Sequence, residues 1–209
     1  GSQNASDAAG KKSEMAHQLA IMAKALKRDM EKTICGNTAK NAGNATTARQ
    51  TGGFETWIET NVSRGTNGAG AGNGAAPTEA ILKDVQQLCF DNGGEPTMLV
   101  VGSHVKGVVS GFTGRASARQ MIDATAIEAS VSVYSGDFGE LKVMPSNFSR
   151  GRTALFIDPD MAKISYLRDF ETIDISTIGD AVTKMLVVEY GLECSNEKAH
   201  GLAADLSTS

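Results

Sequence analysis

An α+β fold is predicted by three features of this 209-residue sequence: an apolar stripe at helical spacing near the start, a short helix–strand–helix pattern, and a second half of alternating strands. The stripe is formed by Met15, Leu19, Met22, Leu26 and Met30, which fall on one face of a helix over 13–34. Ser13 is placed to cap its N-terminus and Gly36 to stop it. Lys24, Lys27 and Glu31 occupy the other face, so this core face should lie against something flat and apolar.

Residues 36–77 hold no sustained period and are rich in Gly, Asn, Thr and Ala; only "FETWIETNV" interrupts them, with Phe54, Trp57 and Ile58 at helical spacing. From Thr78, a natural cap after Pro77, "TEAILKDVQQLCF" puts Ile81, Leu82, Val85, Leu88 and Cys89 on one helical face. "NGGEP" breaks that helix, "TMLVVG" reads as a short buried strand, and "SHVKGVVSGF" as a glycine-weakened helix.

Strands follow. Ile127, Ala129, Val131 and Val133 alternate with Glu128, Ser130, Ser132 and Tyr134, and after "SGDFGE" the run "LKVMP" returns as a hairpin. "TALFI" is a further strand closed by "DPD", and "KISYLR" and "FETIDI" alternate again. Last, "TKMLVVEYGLECS" carries Leu186, Val188, Tyr190, Leu192 and Cys194 on one side, a strand long enough to project from its domain.

Charge and cysteine content narrow the function classes. With 20 Lys and Arg against 24 Asp and Glu, the net charge of −4 supplies no cationic excess for gripping nucleic acid. Cys35, Cys89 and Cys194 are far apart, with no CxxC and no histidine at zinc spacing, and read as buried free thiols of a reducing compartment. No apolar run approaches the roughly 18 to 20 residues of a membrane span. The opening "GS" looks like a tag-cleavage scar.

Catalytic motifs are weak throughout. In "SRGTNGAGAGNGAAP", Gly70, Gly72 and Ala75 match G-x-G-x-x-A ahead of a helix. A dinucleotide site also needs a strand leading in and an acid at a strand end, yet "NVSRGTNG" is no buried strand and Glu95 lies in a Gly-Pro turn. There is no Gly-Lys-Ser/Thr for a phosphate loop either, so 63–77 reads as a flexible connector. His17, His104 and His200 are scattered without a nucleophile elbow, and Asp158-Pro159-Asp160 is ordinary turn chemistry. No cofactor, metal or catalytic residue is assigned.

The order of elements, together with "ALKRDME", "AGNATTARQTGGFETWI", "TNVSRGT", "SGFTG", "LRDFET" and "VEYGLE", resembles the tailed-bacteriophage major capsid proteins of the Hong Kong 97 fold, and within them the SU-10-like family. The resemblance implies a peripheral domain over 13–35 and 159–200, made of a spine helix and a long hairpin with "STIGDAV" at its tip near a three-fold contact. It implies an axial α/β domain over 78–158 and 201–209, with "LAADL" rejoining the axial sheet and 36–77 as a glycine-rich loop region. Residues 1–12 become a scar and the remnant of an N-terminal region, in a chain shortened of its arm and extended loop and so monomeric or weakly associated.

Relatives that weld subunits by a Lys–Asn bond use a hairpin asparagine, and 176–188 contain none, so that chemistry is not carried over. The function implied is a non-enzymatic subunit of an icosahedral virion shell, made in the bacterial host cytoplasm. It would assemble with itself into pentamers and hexamers, with scaffolding and portal proteins as partners, packaged DNA held weakly and no membrane. The alternatives are an encapsulin-like nanocompartment shell protein and an α/β enzyme binding a nucleotide through 63–77.

Overall fold

The run Ala154-Leu155-Phe156-Ile157 is apolar at every position, and each of its four side chains is buried. In the computed structural model, which describes residues 13–64, 74–112, 133–176, 179 and 182–208, this strand (β5, Ala154–Ile157) is central to a six-stranded sheet. The other strands are β1 (Val62–Ser63), β2 (Met98–Val101), β3 (Val133–Gly136), β4 (Gly139–Pro145) and β8 (Gly201–Ala203), in the order β1-β8-β5-β2-β4-β3. The β1/β8 and β2/β4 pairs are parallel, and β2/β5, β3/β4 and β5/β8 antiparallel.

Alternation along β5 feeds two cores. Ala154 and Phe156 face a layer made by α3 (Glu79–Asp91) and α4 (Ser103–Ser110), where Leu82, Val85, Cys89, Val105 and Val109 close over Leu99, Leu141 and Val143. Leu155 and Ile157 face the other side, against Ile34 at the end of α1 (Glu14–Ile34), Phe54 of α2 (Phe54–Trp57), Ile58 and Leu192. A strand buried on both faces can be apolar throughout.

The remaining strands, β6 (Ala162–Ile175) and β7 (Thr183–Cys194), pair only with each other and form a separate two-stranded ribbon. "KISYLR" and "FETIDI", both read as alternating, join in one continuous β6. No helix among the described residues is long and apolar enough to cross a membrane.

Local chemistry explains the boundaries. Ser13 Oγ accepts from Ala16 N at 3.5 Å and Thr78 Oγ1 from Ile81 N at 3.4 Å, so both helices start at the residues placed to cap them. Gly53 is required by packing, because a Cβ there would lie 2.0 Å from the Gly36 carbonyl oxygen. Asp158 forms the turn into β6, its carboxylate accepting from Asp160 N at 3.0 Å.

Two readings need correcting. Val133, placed on the apolar side of its strand, is exposed, and Tyr134 is buried instead, because its ring joins the core while its hydroxyl donates to Glu79 at 3.0 Å. The segment after Asn61, read as no buried strand, forms only the short half-buried edge strand β1, whose carbonyls accept from the sheet: Leu202 N to Asn61 O at 2.8 Å and Ala204 N to Ser63 O at 2.9 Å. All three cysteines are free; Cys35 and Cys89 are buried, with burial pushing their thiols up to about 11 and about 12, but Cys194 is only half-buried.

Candidate assembly surface

The ribbon sets fourteen residues of β6 against twelve of β7. Its register runs from Ala162 opposite Cys194 to Ile175 opposite Thr183, and the two extra residues are taken up by irregularities between Tyr166 and Arg168 and between Arg168 and Glu171. Leu167 falls in the first, has no cross-strand partner, and is 72% exposed, the most exposed large apolar side chain among the described residues. Bulges of this kind re-aim a side chain and twist an edge. Tyr166 and Ile164 are exposed beside it.

A two-stranded hairpin alone in water is marginal. This one is braced on both strands. The Leu192 amide donates to Thr51 Oγ1 at 3.2 Å, Lys27 of α1 stands 5.5 Å over the Phe170 ring, and α1 approaches β7. Glu189 accepts from Arg168 across the ribbon and pairs with Arg49 at 3.5 Å. The Arg168 hydrogen bond, with the charges of Arg168 and Arg49, holds the Glu189 carboxyl below the usual range.

Arg49 belongs to a loop closed by the Asn41–Gln50 bridge and turned by Asn44, whose side chain accepts from the Thr46 and Thr47 amides at 2.9 and 2.7 Å. Between this loop and the ribbon lies an open groove of about 910 Å³, lined by Thr33, Arg49, Thr51, Tyr166, Leu167 and Tyr190 among others.

At the ribbon's root, three buried or half-buried polar groups tie both strands to the body. Asn61, fully buried, donates to the carbonyls of Lys198 and His200 at 2.7 and 2.9 Å and accepts from Asn92 at 2.8 Å. Glu197 accepts from the Glu59 and Thr60 amides at 3.2 and 3.3 Å and from the Thr60 hydroxyl. His200 Nδ1 accepts from the Asp158 amide at 3.1 Å. Nearby, the buried carboxylate of Glu55 meets Arg150 at 2.6 Å and the Thr153 hydroxyl at 2.9 Å, fixing α2 to the segment entering β5.

The residues singled out from the sequence fall unevenly on this frame. Of the α1 stripe, Met30 is buried, Met15, Leu19 and Leu26 are half-buried, and Met22 is 56% exposed. Met22 is therefore not core within one chain, because only the C-terminal end of α1 enters the packed layer. On β7, Leu186, Val188 and Tyr190 are half-buried and Leu192 is buried, so burial deepens toward the root.

His17 and His104 are half-buried on separate helices, while His200 is core. Gly70 and Gly72 lie outside the described residues, as do Ile127, Ala129 and Val131. The end of the glycine stretch is docked: Ala75 O accepts from Ser207 N at 2.8 Å, and a Cβ on Gly74 would stand 1.9 Å from the Asp205 carbonyl oxygen. Asn61, Glu197 and Glu55 were missed, since no local motif marks a polar residue whose partners lie 137 to 139 positions away, as those of Asn61 and Glu197 do.

The comparisons with known proteins agree with this architecture. The family model described as SU10 major capsid protein matches residues 1–207. The SrpI encapsulin of Synechococcus elongatus PCC 7942 is similar at a TM-score of 0.61 and 12% identity, over 96% of this chain and 69% of that one. A chain of Gordonia phage Cozz is similar at 0.57 and 15%, over 90% and 62%, and one of Mycobacterium phage Ogopogo at 0.51 and 14%, over 92% and 70%. The chain thus spans about two thirds of these proteins' lengths. At such identities the likeness establishes the fold, which is that of Hong Kong 97-type capsid proteins. No curated protein matches the sequence significantly. With the family model matching nearly every residue, the chain belongs to the SU10 major capsid protein family.

Proposed function

We propose that this chain is a shell subunit of a tailed-phage capsid, a structural protein without a catalytic cycle that assembles into pentamers and hexamers around packaged DNA. The observation that carries the reading is the family match over residues 1–207. The geometry supports it, because apolar side chains that one chain leaves open, Met22 on α1 and Ile164, Tyr166 and Leu167 on the ribbon, lie on elements reaching out from the packed sheet.

In this reading α1 and the ribbon form the peripheral domain, and the six-stranded sheet with α3 and α4 the axial domain. Each surface is modest, and closure comes from engaging several at once. The net charge of −4 suits a wall that encloses DNA without gripping it. Scaffolding and portal proteins are the further partners this role calls for, and the virion its location.

Electron microscopy of the full-length protein expressed alone is expected to show closed icosahedral particles or free pentamers and hexamers. Full-length protein that stays monomeric at every concentration would overturn the reading. The likeness to SrpI favours a second reading, an encapsulin-like compartment. Particle contents separate the two, DNA for a capsid and an enzyme cargo for a compartment.

A further inference from the structure

The ribbon joins the body through two short connections, 158–161 into β6 and 195–200 out of β7. They are joined by a backbone bond from Ser195 N to Met161 O at 2.9 Å and, among the described residues, by the His200 side chain. His200 sits at the end of the second connection, and its Nδ1 accepts the backbone N–H of Asp158, the first residue of the other, at 3.1 Å. The residue is 0% exposed, its ring meets Phe54 edge to face at 5.6 Å, and its carbonyl is held by Asn61.

We propose that His200 is a proton-operated latch at the ribbon's root: neutral, it holds the turn that leads into β6, and protonated, it releases that turn.

The chemistry follows from the hydrogen-bond inventory of imidazole. A ring nitrogen that accepts from an amide carries no proton, so the proton of neutral His200 is on Nε2. Protonation from solvent puts N–H on Nδ1 as well, and two donors then face each other across the gap the Asp158 amide now bridges. Nε2 is itself buried without a hydrogen-bond partner, and the Met161 carbonyl, a backbone acceptor that favours the cation, does not offset the cost of burying it.

The groups facing the ring are Asp158 and Glu197 on the two connections and the Met161 carbonyl, all favouring the cation, with the uncharged Phe54 ring packed on it edge to face. The neighbouring Glu55 is engaged by Arg150 and Thr153. Burial outweighs the two acids and pushes the imidazole below its ordinary value. A depressed folded-state value means the latch's contribution is complete above the unfolded pKa of about 6.5 and is lost as pH falls through the folded value.

The test is hydrogen–deuterium exchange of the whole chain between pH 7.5 and 5, corrected for intrinsic rates. Peptides across 158–161 and 195–200 are expected to lose protection by up to about tenfold per pH unit below about 6.5, the limit for one coupled proton, while β2 and β5 keep theirs. His200→Asn retains an acceptor near Nδ1 without the titration and is expected to abolish the pH response of the root.

If that variant does not fold, the wild-type His200 ring, followed by NMR, must titrate over the same range in which the root opens. An imidazole titrating at its ordinary value with root protection unchanged would overturn the latch, as would a His200→Asn chain that still loosens at acid pH. Both readouts use the unassembled chain, so they stand whether or not the capsid reading holds.

Discussion

The six-stranded body and the two-stranded ribbon are both built from paired strands, yet they are stabilised in opposite ways. β5 buries all four of its side chains between two layers, whereas β6, more than three times as long, buries none completely. The body holds its shape through its own packing. The ribbon depends on its root and on braces from Thr51, Arg49 and Lys27. Length of strand is thus no guide to its share of the stability; the number of covered faces is.

The largest test of that contrast is Phe156→Ala. Phe156 is fully buried at the centre of the core, and the substitution is expected to cost about 3–5 kcal/mol in urea unfolding. A loss below about 1 kcal/mol would mean that the body is not the stable unit described here.

Much of this contrast was readable in the residues. "TALFI" is apolar at consecutive positions, as a doubly covered strand must be, and the helix at 78–91 was marked by its cap and period. What period cannot supply is partnership. Tyr134 and Val133 exchanged roles because burying an aromatic ring with its hydroxyl on Glu79 outweighs the alternation of smaller residues before it. Met22 sits in a flawless helical stripe and is nevertheless open, since a stripe records what a helix can bury and not what lies opposite it in one chain. The root was illegible for a related reason: Asn61 is one asparagine in a polar loop until its partners arrive from the far end of the sequence.

That root is where the next largest effect is expected. Asn61→Ala removes one acceptor and two donors, leaving the Lys198 and His200 carbonyls and the Asn92 amide without their buried partner. An unfolding loss of about 2–3 kcal/mol is expected. It would be accompanied by faster hydrogen exchange in 195–200 than in β2, which separates a loosened root from a weakened body.

The smallest effect on folding, and the sharpest on the comparison, belongs to Leu167→Ser. Leu167 stands in a bulge with no cross-strand partner and almost three quarters of its surface in solvent, so its removal is expected to change the chain's stability by less than about 0.5 kcal/mol. If the ribbon were a finished structure, nothing else would change. If it is completed by a neighbouring subunit, an exposed leucine at a groove of about 910 Å³ is the kind of anchor an interface covers, and its loss should weaken assembly while leaving the fold intact. Sedimentation and electron microscopy of full-length protein carrying the substitution measure this directly. Particles formed at wild-type yield and concentration would assign the ribbon's open side to solvent, and the difference between the two regions would then lie in packing alone.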